Sequence, residues 1–176
     1  MDLKMSVSAT FKPFMGTKKK APSMLEAVIF IGIQASGKSS MYYQRFRNTH
    51  VQINLDSLHT RNKERLLLQK CIDEKHSFVV DNTNSSRAER TAYIKLALQN
   101  GYKIIGYYFH SVIAESIERN KQRSGKEKIP RKGIISTAKR LEKPLYEEGF
   151  DELYYVMMSK NGDFLISKWE EENNEV

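Results

Sequence analysis

Eight consecutive residues, Gly32-Ile33-Gln34-Ala35-Ser36-Gly37-Lys38-Ser39, constrain the fold of this chain more than any other stretch. Two glycines with four residues between them, followed directly by Lys-Ser, make a loop in which successive backbone N–H groups turn inward. The flanks suit that geometry. Leu25 to Ile31 is a short, mostly apolar run bounded by Pro22-Ser23, as expected of a strand buried in a parallel sheet. Lys38 to Phe46 reads as a helix that opens inside the loop. A strand, a glycine-bearing loop and a helix N-terminus form an anion cradle, because the helix dipole adds partial positive charge to the inward N–H groups. Gly32, Gln34, Ala35, Ser36, Gly37 and Ser40 are therefore expected to surround the phosphates of a nucleoside triphosphate. Lys38 would reach the outer phosphates, and the Ser39 hydroxyl is placed to ligate Mg²⁺.

Downstream, strand-like and helix-like segments alternate. His50 to Asn54 and Ser77 to Asp81 read as strands, with a helix between them that starts near Asp56-Ser57 and has Leu66 to Ile72 as its apolar core. Ser85 or Ser86 can cap a helix running to about Gln99, with Glu89 in its first turn and Asn100-Gly101 as the stop. Lys103 to Phe109 is a fourth strand. Val112 to Arg123 and Ile134 to Leu141 are helices separated by a basic loop around Gly125 and Pro130. Leu153 to Lys160, Asn161-Gly162 and Asp163 to Trp169 carry a hairpin signal with an Asn-Gly turn. This order predicts an α/β fold: a mostly parallel sheet flanked by helices, with a helical lid over about residues 119–132 and a C-terminal β-hairpin. With 176 residues, 40% hydrophobic and 28% charged, one such domain over residues 24–176 is expected. Residues 1–23 are polar and lysine-rich and read as a flexible basic arm. No apolar run reaches the length of a membrane span and no leader is visible, and the single Cys71 fits a reducing cytoplasm as a buried small hydrophobe.

The net charge of +8 is unevenly spread. Residues 119–143 hold ten Lys/Arg against Glu127 and Glu142, whereas residues 144–176 hold nine Asp/Glu against two Lys. A dense basic segment suits a polyanionic partner, although a charge run on its own is more often a solvated face.

In an open α/β sheet, ligands collect at the carboxyl ends of the strands. The first helix carries the chain roughly 13 Å away from the phosphate loop, and the second strand brings it back over roughly 17–20 Å. Asp56 thus returns to the phosphate edge, where a carboxylate can take the proton of an attacking hydroxyl or simply cap a helix. Asp81-Asn82-Thr83-Asn84 ends the third strand at the same edge. It can hold Mg²⁺ waters, orient Lys38, face an acceptor, or form an Asx turn. Arg119 and Arg123 share one helix face and can act together on a transferring phosphoryl group.

From Gly32 to about Leu153, two-thirds of its length, the chain resembles the kinase domain of polynucleotide 5′-hydroxyl kinases of phage and animal end-healing enzymes. The matching pieces are the phosphate loop, Ile53-Asn54-Leu55-Asp56, Asp81-Asn82-Thr83-Asn84, Arg119-Asn120-Lys121-Gln122-Arg123, and Lys143-Pro144-Leu145-Tyr146-Glu147-Glu148-Gly149-Phe150. The resemblance implies a P-loop kinase fold and ATP with Mg²⁺ as cofactors. It implies 5′-hydroxyl ends of DNA or RNA as substrate, Asp56 as general base, and Lys38, Ser39 and Arg123 on the donor phosphates. The family often carries an Arg three residues after the catalytic Asp to grip the acceptor. His59 stands there in this chain, with Arg61 two residues on. His59, Arg61, Asp81 and Thr83 are the expected acceptor-binding residues. Phosphatase and ligase signatures are not found, so the chain reads as a kinase module that would work with a separate phosphatase or ligase. A small-molecule kinase and a nucleotide-dependent switch are the alternatives.

Overall fold

The computed structural model describes residues 24–125 and 128–170. The expected N-terminal arm, together with Lys126 and Glu127 of the basic segment, lies outside the described residues. Six strands form one sheet in the order β2-β3-β1-β4-β5-β6: β1 Glu26–Ile31, β2 Val51–Ile53, β3 Phe78–Val80, β4 Lys103–Phe109, β5 Glu152–Met158 and β6 Phe164–Lys168. The first five run parallel, and β6 pairs antiparallel with β5. β1 lies between β3 and β4, with Ala27 to Ile31 buried, so its apolar sequence faces protein on both sides.

Helices cover both faces. Ile29, Ile31, Val80 and Ile104 pack with Leu68, Cys71 and Ile72 of α3 (Arg61–Asp73) and with Tyr93, Ile94 and Ala97 of α4 (Arg87–Gln99). On the other face, Val28, Phe30, Val79 and Ile105 pack with Met41, Tyr42 and Phe46. These last three belong to α1 (Lys38–Met41) and the π-helical stretch Tyr42–Phe46 that continues it, widened so that Arg47 N donates to Tyr42 O at 3.0 Å. Burial pushes the Cys71 thiol up to about 11, so it is an inert core group. Among the described residues, no helix is long and apolar enough to cross a membrane.

Two local expectations change here. The single helix expected after β2 is two: α2 (Leu55–Leu58) ends at His59, which is left-handed at φ 65°, and Thr60 then caps α3 by accepting from Lys63 N at 3.2 Å. The hairpin is joined by the five residues 159–163, where Ser159 N donates to Asp163 O at 2.8 Å, rather than by a two-residue turn. Because β5 joins β4, this hairpin completes the main sheet. Trp169 and Phe164 are buried in the protein's own core, and Tyr154 stacks on Tyr107 at 5.2 Å. The α4 cap forms as its sequence predicts: Ser86 Oγ accepts from Glu89 N, and Glu89 Oε2 accepts from Ser86 N.

α5 (Ile113–Lys121) and α6 (Arg131–Arg140) pack on each other beside the phosphate loop. α6 begins three residues earlier than expected, with Pro130 as its cap, since a proline preorganises a helix start. Arg90 of α4 is fully buried. Its guanidinium makes two 2.7 Å bonds to Glu148 and donates to the carbonyls of Asn84 and Glu142, so it ties residues 142–148 to the sheet.

Candidate active site

The loop is shaped by local backbone demands. Gly37 sits at φ 99°, and a Cβ there would lie 2.8 Å from Met158 Sδ, so both conformation and space call for glycine. Gly32 N donates to Thr83 O at 3.0 Å, which ties the loop to the end of β3. Lys38 is buried. Its ammonium donates to Ile33 O at 2.6 Å, Gly32 O at 3.0 Å and Ser36 Oγ at 3.3 Å. Burial holds Lys38 down to about 8; Asp81 pulls it up, Arg123 pushes it down further, and Asp56 pulls it up.

Asp81 ends β3 with its carboxylate turned inward. Oδ2 accepts from Ser39 Oγ at 2.8 Å, Gln52 Nε2 at 2.7 Å and Asn54 Nδ2 at 3.4 Å. Oδ1 is buried and has no hydrogen-bond partner. Burial raises the Asp81 carboxyl, against the opposing pull of Lys38 and of its three donors. An orphaned carboxylate oxygen beside a serine hydroxyl fits a hard cation, which takes oxygen ligands and completes its shell with water and phosphate. Asp81 was expected among the acceptor-binding groups. It is 3% exposed and faces Ser39 instead. Thr83, from the same expected set, has its carbonyl occupied by Gly32.

Asp56 sits in the first turn of α2 and is exposed. The competing role of helix cap is filled by Asn54, whose Oδ1 accepts from Ser57 N at 3.2 Å. Among the described residues no hydrogen bond holds the Asp56 carboxylate. On α5, Arg119 Nε donates to Ala35 O at 2.7 Å and Nη1 pairs with Glu115 at 3.3 Å. Arg119 therefore grips the phosphate loop itself, whereas Arg123 makes itself felt at Lys38. Gln34 of the loop donates to Thr137 of α6 at 2.9 Å, and its Oε1 is buried without a partner. Ser40 is exposed at the start of α1.

His59 and Arg61 flank the break between α2 and α3, and both are exposed. Arg61 Nη1 donates to Glu64 Oε2 at 2.8 Å and to Tyr93 OH at 3.1 Å. Reasoning from sequence missed Glu64, Tyr93, Gln52 and Asn120. Asn120 clamps the basic loop by donating to Ile129 O at 2.7 Å and accepting from Ile129 N at 3.0 Å. Its place inside Arg-Asn-x-x-Arg was the one available signal. For Glu64, a charged residue on a helix that reads as solvated, there was none.

A protein-family model described as AAA domain matches residues 54–144, just over half of the chain. A curated relative, the putative bifunctional polynucleotide phosphatase/kinase of Acanthamoeba polyphaga mimivirus, is 28% identical over 149 residues. That match covers 78% of this chain and 34% of the relative, so the chain spans about a third of the relative's length. Among solved structures, Chaetomium thermophilum Kti12 in complex with ADP-AlF3 superposes with a TM-score of 0.58 at 15% identity, over 77% of this chain and 92% of that one. A chain of the Pnkp1/Rnl/Hen1 RNA repair complex superposes at 0.57 with 20% identity, over 71% and 46%. At these identities the superpositions show a shared fold.

Proposed function

The chain belongs to the AAA domain family, and from that premise we propose that it is an ATP-dependent kinase acting on the 5′-hydroxyl ends of DNA or RNA. The observation that carries this reading is the carboxyl edge of the sheet itself: Lys38 bonded to the loop, Ser39 bonded to Asp81 at 2.8 Å, and an exposed Asp56 on the turn that Asn54 caps. A nucleotide switch needs the loop and Lys38; it has no use for an exposed carboxylate in the first turn of α2 that Asn54 relieves of capping. The mimivirus relative's name supports the polynucleotide acceptor over a small alcohol.

In this reading the loop amides and Lys38 hold the β- and γ-phosphates of ATP, and Lys38 exchanges its three loop oxygens for charged ones. Mg²⁺ held by Ser39 and Asp81 would supply charge neutralisation across the two phosphates. Asp56 accepts the proton of the attacking 5′-hydroxyl, whose oxygen bonds to the γ-phosphorus as the bond to the β-phosphate oxygen breaks. Arg123 neutralises charge on the transferring group. Arg119, with its contact to Ala35 O, keeps α5 seated over the loop. Residues 24–176 act as one kinase unit with a lid over about 119–132, and Arg61 and His59 face the acceptor.

The test is transfer of labelled γ-phosphate from ATP to 5′-hydroxyl oligonucleotides, with 5′-phosphorylated oligonucleotides and small alcohols alongside. Label is expected only on 5′-hydroxyl ends. Asp56→Ala should keep ATP binding and lose transfer by about 10²–10⁴-fold, the usual contribution of a general base. Label on a small alcohol and none on oligonucleotides would replace this reading with a small-molecule kinase.

A further inference from the structure

Behind the exposed Arg61 lies a buried carboxylate that the chemistry above does not use. Glu64 stands one turn further along α3 and is 4% exposed. Its Oε1 accepts from Asn82 Nδ2 at 2.6 Å and from Tyr93 OH at 2.9 Å. Its Oε2 accepts from Arg61 Nη1 at 2.8 Å, its one hydrogen bond among the described residues. A purely structural role would be met at Oε1, which links α3 to α4 and to the end of β3. The other oxygen is spent on a side chain that is itself 62% exposed. Among the described residues Arg61 uses only Nη1, for Glu64 and Tyr93, so the guanidinium is held along one edge and its remaining donors are left to the solvent side.

One further contact joins this assembly to the reaction centre. Asn82, which donates to Glu64, also accepts from Leu55 N at 2.9 Å through Oδ1, and Leu55 directly precedes Asp56. One amide side chain therefore locates both the turn that carries the proposed base and the carboxylate that holds Arg61. Burial and the adjacent Glu64 push the Tyr93 phenol up to about 12, which keeps its hydroxyl a donor.

We propose that Glu64, with Tyr93 and Asn82, is the positioning group that holds Arg61 for the phosphate on the 3′ side of the reacting nucleoside, so favouring a 5′-hydroxyl on a phosphodiester strand over a free alcohol. This rests on the polynucleotide kinase reading above. An unrestrained arginine loses side-chain entropy when it engages a phosphate, whereas one already gripped by a buried carboxylate has lost it on folding. Bidentate guanidinium–phosphate geometry needs a fixed plane, and the Nη1 contacts supply one.

The experiment is steady-state kinetics of the full chain with a 5′-hydroxyl oligonucleotide and with a nucleoside that lacks phosphate, for wild type, Glu64→Gln, Tyr93→Phe, Arg61→Ala and Arg61→Ala with Tyr93→Phe. Loss of a charge-assisted contact predicts about a tenfold rise in oligonucleotide KM for Glu64→Gln and about threefold for Tyr93→Phe. The KM for ATP should stay within about twofold, and oligonucleotide-over-nucleoside preference should fall by the same factors. On the Arg61→Ala background the Tyr93 change should add nothing, since it acts through Arg61. Additive losses, or equal losses with both acceptors, would overturn the inference and leave a structural role for Glu64. If Glu64→Gln does not fold, the milder Tyr93→Phe pair decides alone. Wild-type protein that labels no oligonucleotide would overturn the polynucleotide reading, and this inference with it.

Discussion

ATP binding should draw a proton from solution at alkaline pH, because Lys38 is held near pH 8 by burial. Below that pH the ammonium is charged before the nucleotide arrives. Above it the amine is neutral in the free protein, and a bound triphosphate restores the charge by placing negative oxygens beside it. From a free pKa of about 8, roughly a tenth of Lys38 is neutral at pH 7 and roughly nine-tenths at pH 9, so uptake should rise from about 0.1 to about 0.9 proton per ATP. Affinity should weaken by about tenfold per pH unit above 8. Stability moves the opposite way. The folded pKa lies below the ordinary 10.5, so the unfolded chain binds more protons between these values and the ligand-free fold gains stability as pH climbs from about 8 to 10.5. Calorimetry of ATP binding at pH 7, 8 and 9, in buffers of different ionisation enthalpy, reads the uptake directly, with Lys38→Met as the control. ATP that still binds at pH 9 with uptake below about 0.2 proton would refute the placement of Lys38 on the phosphates or its depressed pKa.

Asp81→Asn should raise the Mg²⁺ concentration needed for half-maximal turnover by about 10–100-fold, the usual effect of disturbing a group at a metal site. A half-saturation point within about twofold of wild type would remove Asp81 from the metal. Arg90→Met should destabilise the fold by about 3–5 kcal/mol, because it strands the Glu148 carboxylate, whose side chain is 3% exposed. Denaturant melts with a loss under about 1 kcal/mol would show that Glu148 finds another partner or turns out to solvent.

The phosphate edge was legible in the sequence because its signals are local. The Gly37 backbone, the Lys38-Ser39 pair and the apolar run before them are fixed by neighbours in the chain, and the alternation of periods gave the parallel sheet. The Ser86–Glu89 cap and the strand Lys103–Phe109 appear where the pattern put them. Helix ends were less legible where two signals competed: at His59-Thr60, a second cap broke what hydrophobic spacing alone read as one helix.

Contacts between segments distant in sequence decided the rest. Asp56 reads equally as a base or a cap from spacing alone, and it is Asn54 that fills the cap. Asp81 reads as a group for Mg²⁺ waters, for Lys38, for an acceptor or for an Asx turn, and the contact of its Oδ2 with Ser39, 42 residues away, is not visible in the sequence. Glu64 carried no signal, since its burial depends on Asn82 and Tyr93, 18 and 29 residues along the chain. What the sequence by itself determined is the anion cradle and the order of strands and helices, which follow from backbone conformation and hydrophobic period. Only the tertiary structure decided which carboxylate faces which partner, because a buried charge takes its role from the donors that packing brings within hydrogen-bond reach.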